Sequence, residues 1–175
     1  MKRIAVLVSG GGTNLQAIID AQGRGEIING SIAAVVSSSP DAYALERAEK
    51  AGIPGYVIDR RDYPSNRAMT AALVDKLRQL DIQLVVLAGF MTTLTEEMVR
   101  AFPNAILNIH PALIPSFAGP GCYGLHVHEK ALAYGVKLSG ATVHFVSPEC
   151  DGGPIVLQKA VEVLPDDTPE VLQRR

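Results

Sequence analysis

A chain of 175 residues, of which 47% are hydrophobic and 19% charged, can bury one sizeable core, so a single domain over residues 1–175 is expected. The formal net charge of -2, with no run of Lys or Arg, argues against nucleic acid or an anionic membrane as partners. Met1-Lys2-Arg3 and an apolar run reaching only to Val8 are too short for a signal-peptide core or a bilayer span, so a cytoplasmic location and free thiols at Cys122 and Cys150 are expected.

In chain order, Ile4 to Val8 is near-continuously apolar, the pattern of a strand buried on both faces. A glycine loop follows, and then Leu15, Ile18 and Ile19 recur at helical spacing. Ile32 to Val36 and Tyr56 to Ile58 read as the next strands, with a helix start expected at Ser39-Pro40. Ser65 should cap a helix carrying Met69, Leu73, Leu77 and Leu80 before a fourth strand, Leu84 to Ala88. Thr93 and Glu96 have capping-box spacing, and Ala105 to Ile109 is the fifth strand. Beyond His110, Pro111, Pro115, Gly119, Pro120, Gly121 and Gly124 forbid both helix and central strand, so a long loop is expected, either a binding loop or a passive insertion. A short helix over Leu125 to Tyr134 follows. Ala141 to Val146 and Ile155 to Val163 alternate around the Asp151-Gly152-Gly153-Pro154 turn, which predicts an antiparallel pair, and Thr168 should cap a last helix. The whole predicts an α/β fold: a doubly wound, mainly parallel sheet with antiparallel strands near the C-terminal end.

Ser9-Gly10-Gly11-Gly12-Thr13-Asn14 lies between a buried strand and an amphipathic helix, where backbone N–H groups and the helix dipole favour an anion. Leu15 stands where a dinucleotide fingerprint needs its third glycine, and no Gly-Lys-Ser/Thr occurs, so a single phosphate monoester fits better. A tight turn that needs glycine only for backbone freedom gives the same pattern.

Asn108 and His110 share one face at the carboxyl end of the fifth strand, the edge at which open α/β sheets bind ligands. An amide donor and a group that titrates near neutrality suit attack on a carbonyl, although a structural histidine would look the same. Asp151, in a rigid turn after a buried strand, would favour the protonated form of a nearby His110 and could take a proton through water; an ordinary turn aspartate is the plainer reading. Thr142 and His144 share one face of the preceding strand and could support the same crevice. Cys122, His126 and His128 lie close in sequence, but the histidines lack i, i+4 spacing and have no second Cys/His pair nearby, so no metal is expected. No Gly-x-Ser-x-Gly elbow occurs, which disfavours a serine hydrolase.

Together, Ser9-Gly-Gly-Gly-Thr-Asn14, Leu87-Ala-Gly-Phe-Met91, Leu107-Asn-Ile-His-Pro-Ala-Leu-Ile-Pro115, Gly140-Ala-Thr-Val-His-Phe-Val146 and Asp151-Gly-Gly-Pro-Ile155 resemble the phosphoribosylglycinamide formyltransferases, folate-dependent enzymes of purine synthesis. The resemblance runs through the whole chain with the motifs in the family's order. It implies 10-formyltetrahydrofolate as donor, the glycyl amine of glycinamide ribonucleotide as acceptor and no metal. It implies catalysis by Asn108, His110 and Asp151, supported by Thr142 and His144, and phosphate binding by Gly12, Thr13 and Asn14. It further implies a folate pocket lined by Arg67, Met91, Thr92, Thr93, Leu94, Asn108, Ser147, Pro148, Glu149, Cys150 and Asp151.

The chain departs from the family at Thr92, where some members carry arginine, and in a longer Ser116 to His128 loop. It ends at Arg175 inside a predicted helix that the family continues, so a shortened chain with weakened acceptor affinity is expected. A formyltetrahydrofolate hydrolase would bring an added N-terminal domain, and an initiator-tRNA formyltransferase a basic C-terminal one. A phosphate-binding sensor on a flavodoxin-like sheet would have no need of the Asn-His-Asp set. The expected assembly is a monomer or homodimer.

Overall fold

A computed structural model describes all residues, Met1–Arg175, and the chain divides into two compact units, Met1–Leu107 and Asn108–Arg175. In the first unit, β1 (Lys2–Val8) buries every side chain from Ile4 to Val8, as a central strand must. It lies parallel to β2 (Gly30–Ser37), pairing Ile4 with Ile32 and Val8 with Ser37, and on its other side to β4 (Leu84–Leu87), pairing Leu7 with Leu87. A register shift between Ile4 and Ala5 re-aims the second half of β1 against β2. The third strand, β3 (Gly55–Val57), pairs parallel with β2 at the edge, one residue earlier than the apolar run suggests. Pro54 and Gly55 start it, and the edge position leaves Gly55 and Val57 exposed.

Helix α1 (Thr13–Gly23) packs Leu15, Ile18 and Ile19 against Ile4, Val6, Val8, Ile32 and Val35, which closes the core on that face of the sheet. Burial of one such aliphatic side chain contributes about 1.5–3 kcal/mol. Helix α2 (Tyr43–Lys50) joins the same core through the small side chains of Ala44 and Ala48, so its backbone can come close to the glycine loop. Helix α3 (Asn66–Gln79) buries Met69, Leu73 and Leu77 at successive turns, with Thr70 and Val74 beside them. Ser65 caps it, its hydroxyl accepting from Ala68 N, as expected. The other two expected caps in this unit differ. Ser39 shapes a turn, its hydroxyl accepting from Asp41 N, and α2 starts later with Ala42 at the cap position. Likewise α4 (Glu96–Ala101) starts after Thr95 and not Thr93. At Ser39 a local side-chain turn precedes the helix and takes up a backbone group that a cap would have served.

Strand β5 (Ile106–His110) carries the chain from one unit to the next, and the seven strands follow the order β3-β2-β1-β4-β5-β6-β7. The order reverses beside β1, so the loops after β1 and β4 flank the topological switch point. In the second unit, neither helix nor strand forms between His110 and Leu125, and the Ile114-Pro115 bond is cis. Helix α5 (Leu125–Tyr134) has the predicted bounds and ends on Gly135, whose φ of 83° gives the left-handed turn that glycine adopts freely. Strands β6 (Leu138–Phe145) and β7 (Ile155–Glu162) form the expected antiparallel pair. The alternation in β7 does not bury one face: only Val161 in that strand is half-buried. Helix α6 (Pro169–Arg174) is capped by Thr168, which accepts from Val171 N. No helix is long and apolar enough to cross a membrane.

Candidate active site

The first candidate region is the loop between β1 and α1. Gly12, at the cap position, has a φ of 71°, and no side chain caps the helix or places an acid in its first turn. The backbone N–H groups that open α1 therefore have no side-chain acceptor at the cap position. A Cβ at Gly12 would lie 2.7 Å from Ala44 Cβ, so glycine is required by contact as well as by conformation. Thr13 and Asn14 are exposed at the start of the helix. Ser9 accepts from Met91 N at 2.8 Å and shares a 2.6 Å hydrogen bond with Ser38, which ties the loop after β1 to the segment after β4. In that segment Met91 and Thr93 are exposed, while Thr92 and Leu94 are half-buried. Arg67 is exposed, and its Nε pairs with Glu97 at 2.9 Å.

The second region lies in the Asn108–Arg175 unit and brings together four residues from three separate stretches of chain. His110 ends β5 with its side chain 4% exposed; its Nδ1 faces Asp151 Oδ2 at 3.5 Å, and its Nε2 donates to Phe117 O at 2.8 Å. Asn108 donates through Nδ2 to His144 Nε2 at 3.1 Å, and His144 donates from Nδ1 to Phe145 O at 2.9 Å. In this arrangement the His144 ring orients the amide. The second N–H of that amide remains for another acceptor. Asp151 Oδ1 lies 3.7 Å from His144 Nε2, and Oδ2 accepts from Gly119 N at 3.0 Å.

Local structure explains how the carboxylate arrives there. Asp151 sits at a φ of 54°, and a Cβ at Gly153 would fall 1.7 Å from Phe145 O, so only glycine lets this turn fold back onto the end of β6. Ser147 donates to Glu149 O and Gly152 N donates to the same carbonyl, closing the turn that leaves Pro148, Glu149 and Cys150 exposed. Burial and the adjacent Asp151 carboxylate push the Cys150 thiol up. Thr142 is fully buried: its hydroxyl donates to Ala112 O at 2.6 Å and accepts from Ile114 N at 3.1 Å and Gln158 Nε2 at 3.0 Å. It holds the start of the long loop.

Two features escape the sequence reading. The backbone of the long loop engages two of the three catalytic candidates, His110 through Phe117 O and Asp151 through Gly119 N. His128 is buried with neither ring nitrogen hydrogen-bonded, and burial first, then the proximity of His110, lowers its pKa. Its place with Val127 and Ala131 on the buried side of α5 is the signal that could have assigned it to the interior. The Cys122, His126 and His128 group, which the sequence reading set aside, has separate local partners: Cys122 Sγ lies 3.3 Å from Lys130 Nζ, and His126 pairs with Glu129. Both cysteines are free thiols.

In the Asn108–Arg175 unit an amide and a histidine beside a carboxylate are groups of a kind suited to attack on a carbonyl. Over residues 2–175 the chain matches the family described as Formyl transferase. The chain belongs to the formyl transferase family. Among formyl transferases it is 46% identical over 175 residues to the phosphoribosylglycinamide formyltransferase of Haemophilus influenzae, covering 100% of this chain and 80% of that one. It is 43% identical to the chloroplastic phosphoribosylglycinamide formyltransferase of Arabidopsis thaliana, covering 99% of this chain and 60% of that relative. The crystal structure of glycinamide ribonucleotide transformylase 1 from Symbiobacterium toebii superposes with a TM-score of 0.93 at 50% identity, covering 99% of this chain and 79% of that one. The formyl transferase fold is thus an α/β sheet, mostly parallel, with its antiparallel strands at the C-terminal end, as expected.

Proposed function

We propose that this formyl transferase moves the formyl group of 10-formyltetrahydrofolate to the glycyl amine of glycinamide ribonucleotide, giving formylglycinamide ribonucleotide and tetrahydrofolate in purine synthesis. The observation that carries this reading is the buried His110 imidazole 3.5 Å from the Asp151 carboxylate, with Asn108 aligned beside it by His144. The acceptor amine attacks the formyl carbon, and the carbonyl electrons move onto oxygen. His110 Nε2–H exchanges Phe117 O for this developing oxyanion, and the second N–H of Asn108 Nδ2 adds another donor. Asp151 stabilises the His110 imidazolium and, through water, takes the proton that the attacking amine must lose. Collapse of the tetrahedral adduct re-forms the carbonyl and breaks the bond to the folate nitrogen, which takes up through water the proton that Asp151 removed and leaves as tetrahydrofolate, restoring the carboxylate.

The acceptor's phosphate is assigned to Gly12, Thr13 and Asn14, supported by the uncapped start of α1. Folate is assigned to Arg67, the Met91 to Leu94 segment, Asn108 and the Ser147 to Asp151 turn. Residues 1–175 act as a single formyltransferase domain, as monomer or homodimer, in the cytoplasm, where free Cys122 and Cys150 are at home. Tetrahydrofolate release followed by absorbance tests the reaction. Release that requires glycinamide ribonucleotide is expected; equal release without it would assign the chain to hydrolysis instead. His110→Ala should lower turnover by about a hundredfold or more with the fold intact, and an active variant would overturn the mechanism.

A further inference from the structure

Nothing in a glycine triplet holds its peptide planes by itself, because each glycine samples both signs of φ. In a trans peptide the C=O and the following N–H point to opposite sides, so whatever fixes the carbonyl also aims the amide. Two carbonyls of this loop are fixed from α2: Gly10 O accepts from Ala44 N at 3.1 Å, and Gly11 O accepts from Arg47 Nε at 2.8 Å. The N–H groups of Gly11 and Gly12 consequently face away from α2. A Cβ built at Gly10 or Gly11 meets nothing within 4 Å, so the loop's other side is open.

Arg47 is itself held at three points. Its Nη1 donates to Gln16 Oε1 at 3.1 Å, in the first turns of α1, and its guanidinium lies over the Tyr43 ring at 4.9 Å. The planar fork thus spans the glycine loop and the helix that follows it, which a single ammonium could not do. It also places a half-buried cation beside a helix start that carries no acid.

We propose that Arg47 is a positioning residue for the acceptor's phosphate monoester, aiming the Gly12 amide through its hold on Gly11 O. This rests on the reading of the glycine loop as the phosphate site. The test compares the unsubstituted chain, Arg47→Met and Arg47→Lys in steady-state transfer to glycinamide ribonucleotide and to its dephosphorylated riboside. Arg47→Met is expected to raise KM for the phosphorylated acceptor about ten- to a hundredfold, the loss of one charge-assisted hydrogen bond and its cation. Its kcat and its KM for the formyl donor should stay within about twofold, and kcat/KM for the riboside should not move. Arg47→Lys should remain impaired for the phosphorylated acceptor.

Equal losses on both acceptors would make Arg47 merely structural, and full recovery with lysine would reduce its role to charge; either result overturns the proposal. Calorimetry with ribose 5-phosphate separates this from the reading beneath it. Binding that weakens in Arg47→Met, in a chain that transfers no formyl group, would sink the assigned reaction and leave the positioning role standing. No binding to the unsubstituted chain would remove the phosphate site and Arg47's role with it.

Discussion

Replacing Gly12 by alanine tests the geometry of the glycine loop most directly. Alanine at a φ of 71° must adopt the left-handed conformation, at a cost of about 1–2 kcal/mol. Its Cβ would also fall 2.7 Å from Ala44 Cβ and 2.9 Å from Ala44 Cα, closer than real Cβ contacts come. Overpacking of that kind costs about 1–3 kcal/mol, so Gly12→Ala should lose roughly 2–5 kcal/mol in urea unfolding. That is a large part of the about 5–15 kcal/mol that holds an ordinary domain together. Combining it with Ala44→Gly removes the nearer contact and leaves the conformational cost. The double substitution should therefore recover about 1–2 kcal/mol relative to the sum of the two single changes. Additivity within about 0.5 kcal/mol would refute the contact between loop and helix, and a neutral Gly12→Ala would refute the left-handed turn as well.

Three further outcomes are expected. Asp151→Asn keeps an oxygen for Gly119 N but removes the charge facing His110, so kcat should fall about a hundredfold or more with little change in melting temperature; near-parental turnover would contradict the assigned role. Thr142→Val strands Ala112 O and Ile114 N in the interior and should cost about 2–4 kcal/mol, whereas Thr142→Ser, which keeps the hydroxyl, should lose clearly less in the same denaturation experiment. The lowered pKa of His128 means that the unfolded chain binds its proton before the folded one does. Its contribution to stability is full above the unfolded value of 6.5 and is lost as pH falls from there through the folded value, so His128→Leu should flatten the pH dependence of the urea midpoint in that window. A parental midpoint that rises on acidification there would reverse the sign.

Much of the fold is legible residue by residue. Ile4 to Val8, Ile32 to Val36 and Leu84 to Ala88 read as strands because a central parallel strand is buried on both faces and tolerates no polar residue. Leu125 to Tyr134 reads with the observed bounds because Gly124 and Gly135 bracket it. Ser39 misleads for a local reason: a short polar side chain before a helix serves a turn as readily as a cap, and sequence does not separate the two. In β7, alternation marks the strand correctly yet says nothing about what covers it. Within the site, Asn108 and His110 are readable from a two-residue period at the end of a strand.

By itself, then, the order of residues determined which segments become strands, helices and loops, and which bear groups suited to acyl transfer, because periodicity, glycine and proline act within a few neighbours of themselves. Only the tertiary structure decided that Asp151 meets His110, that His144 takes the amide of Asn108, and that Arg47 grips Gly11 O. Each of those contacts closes a long stretch of chain whose path depends on the packing of everything between, and no local pattern encodes that path.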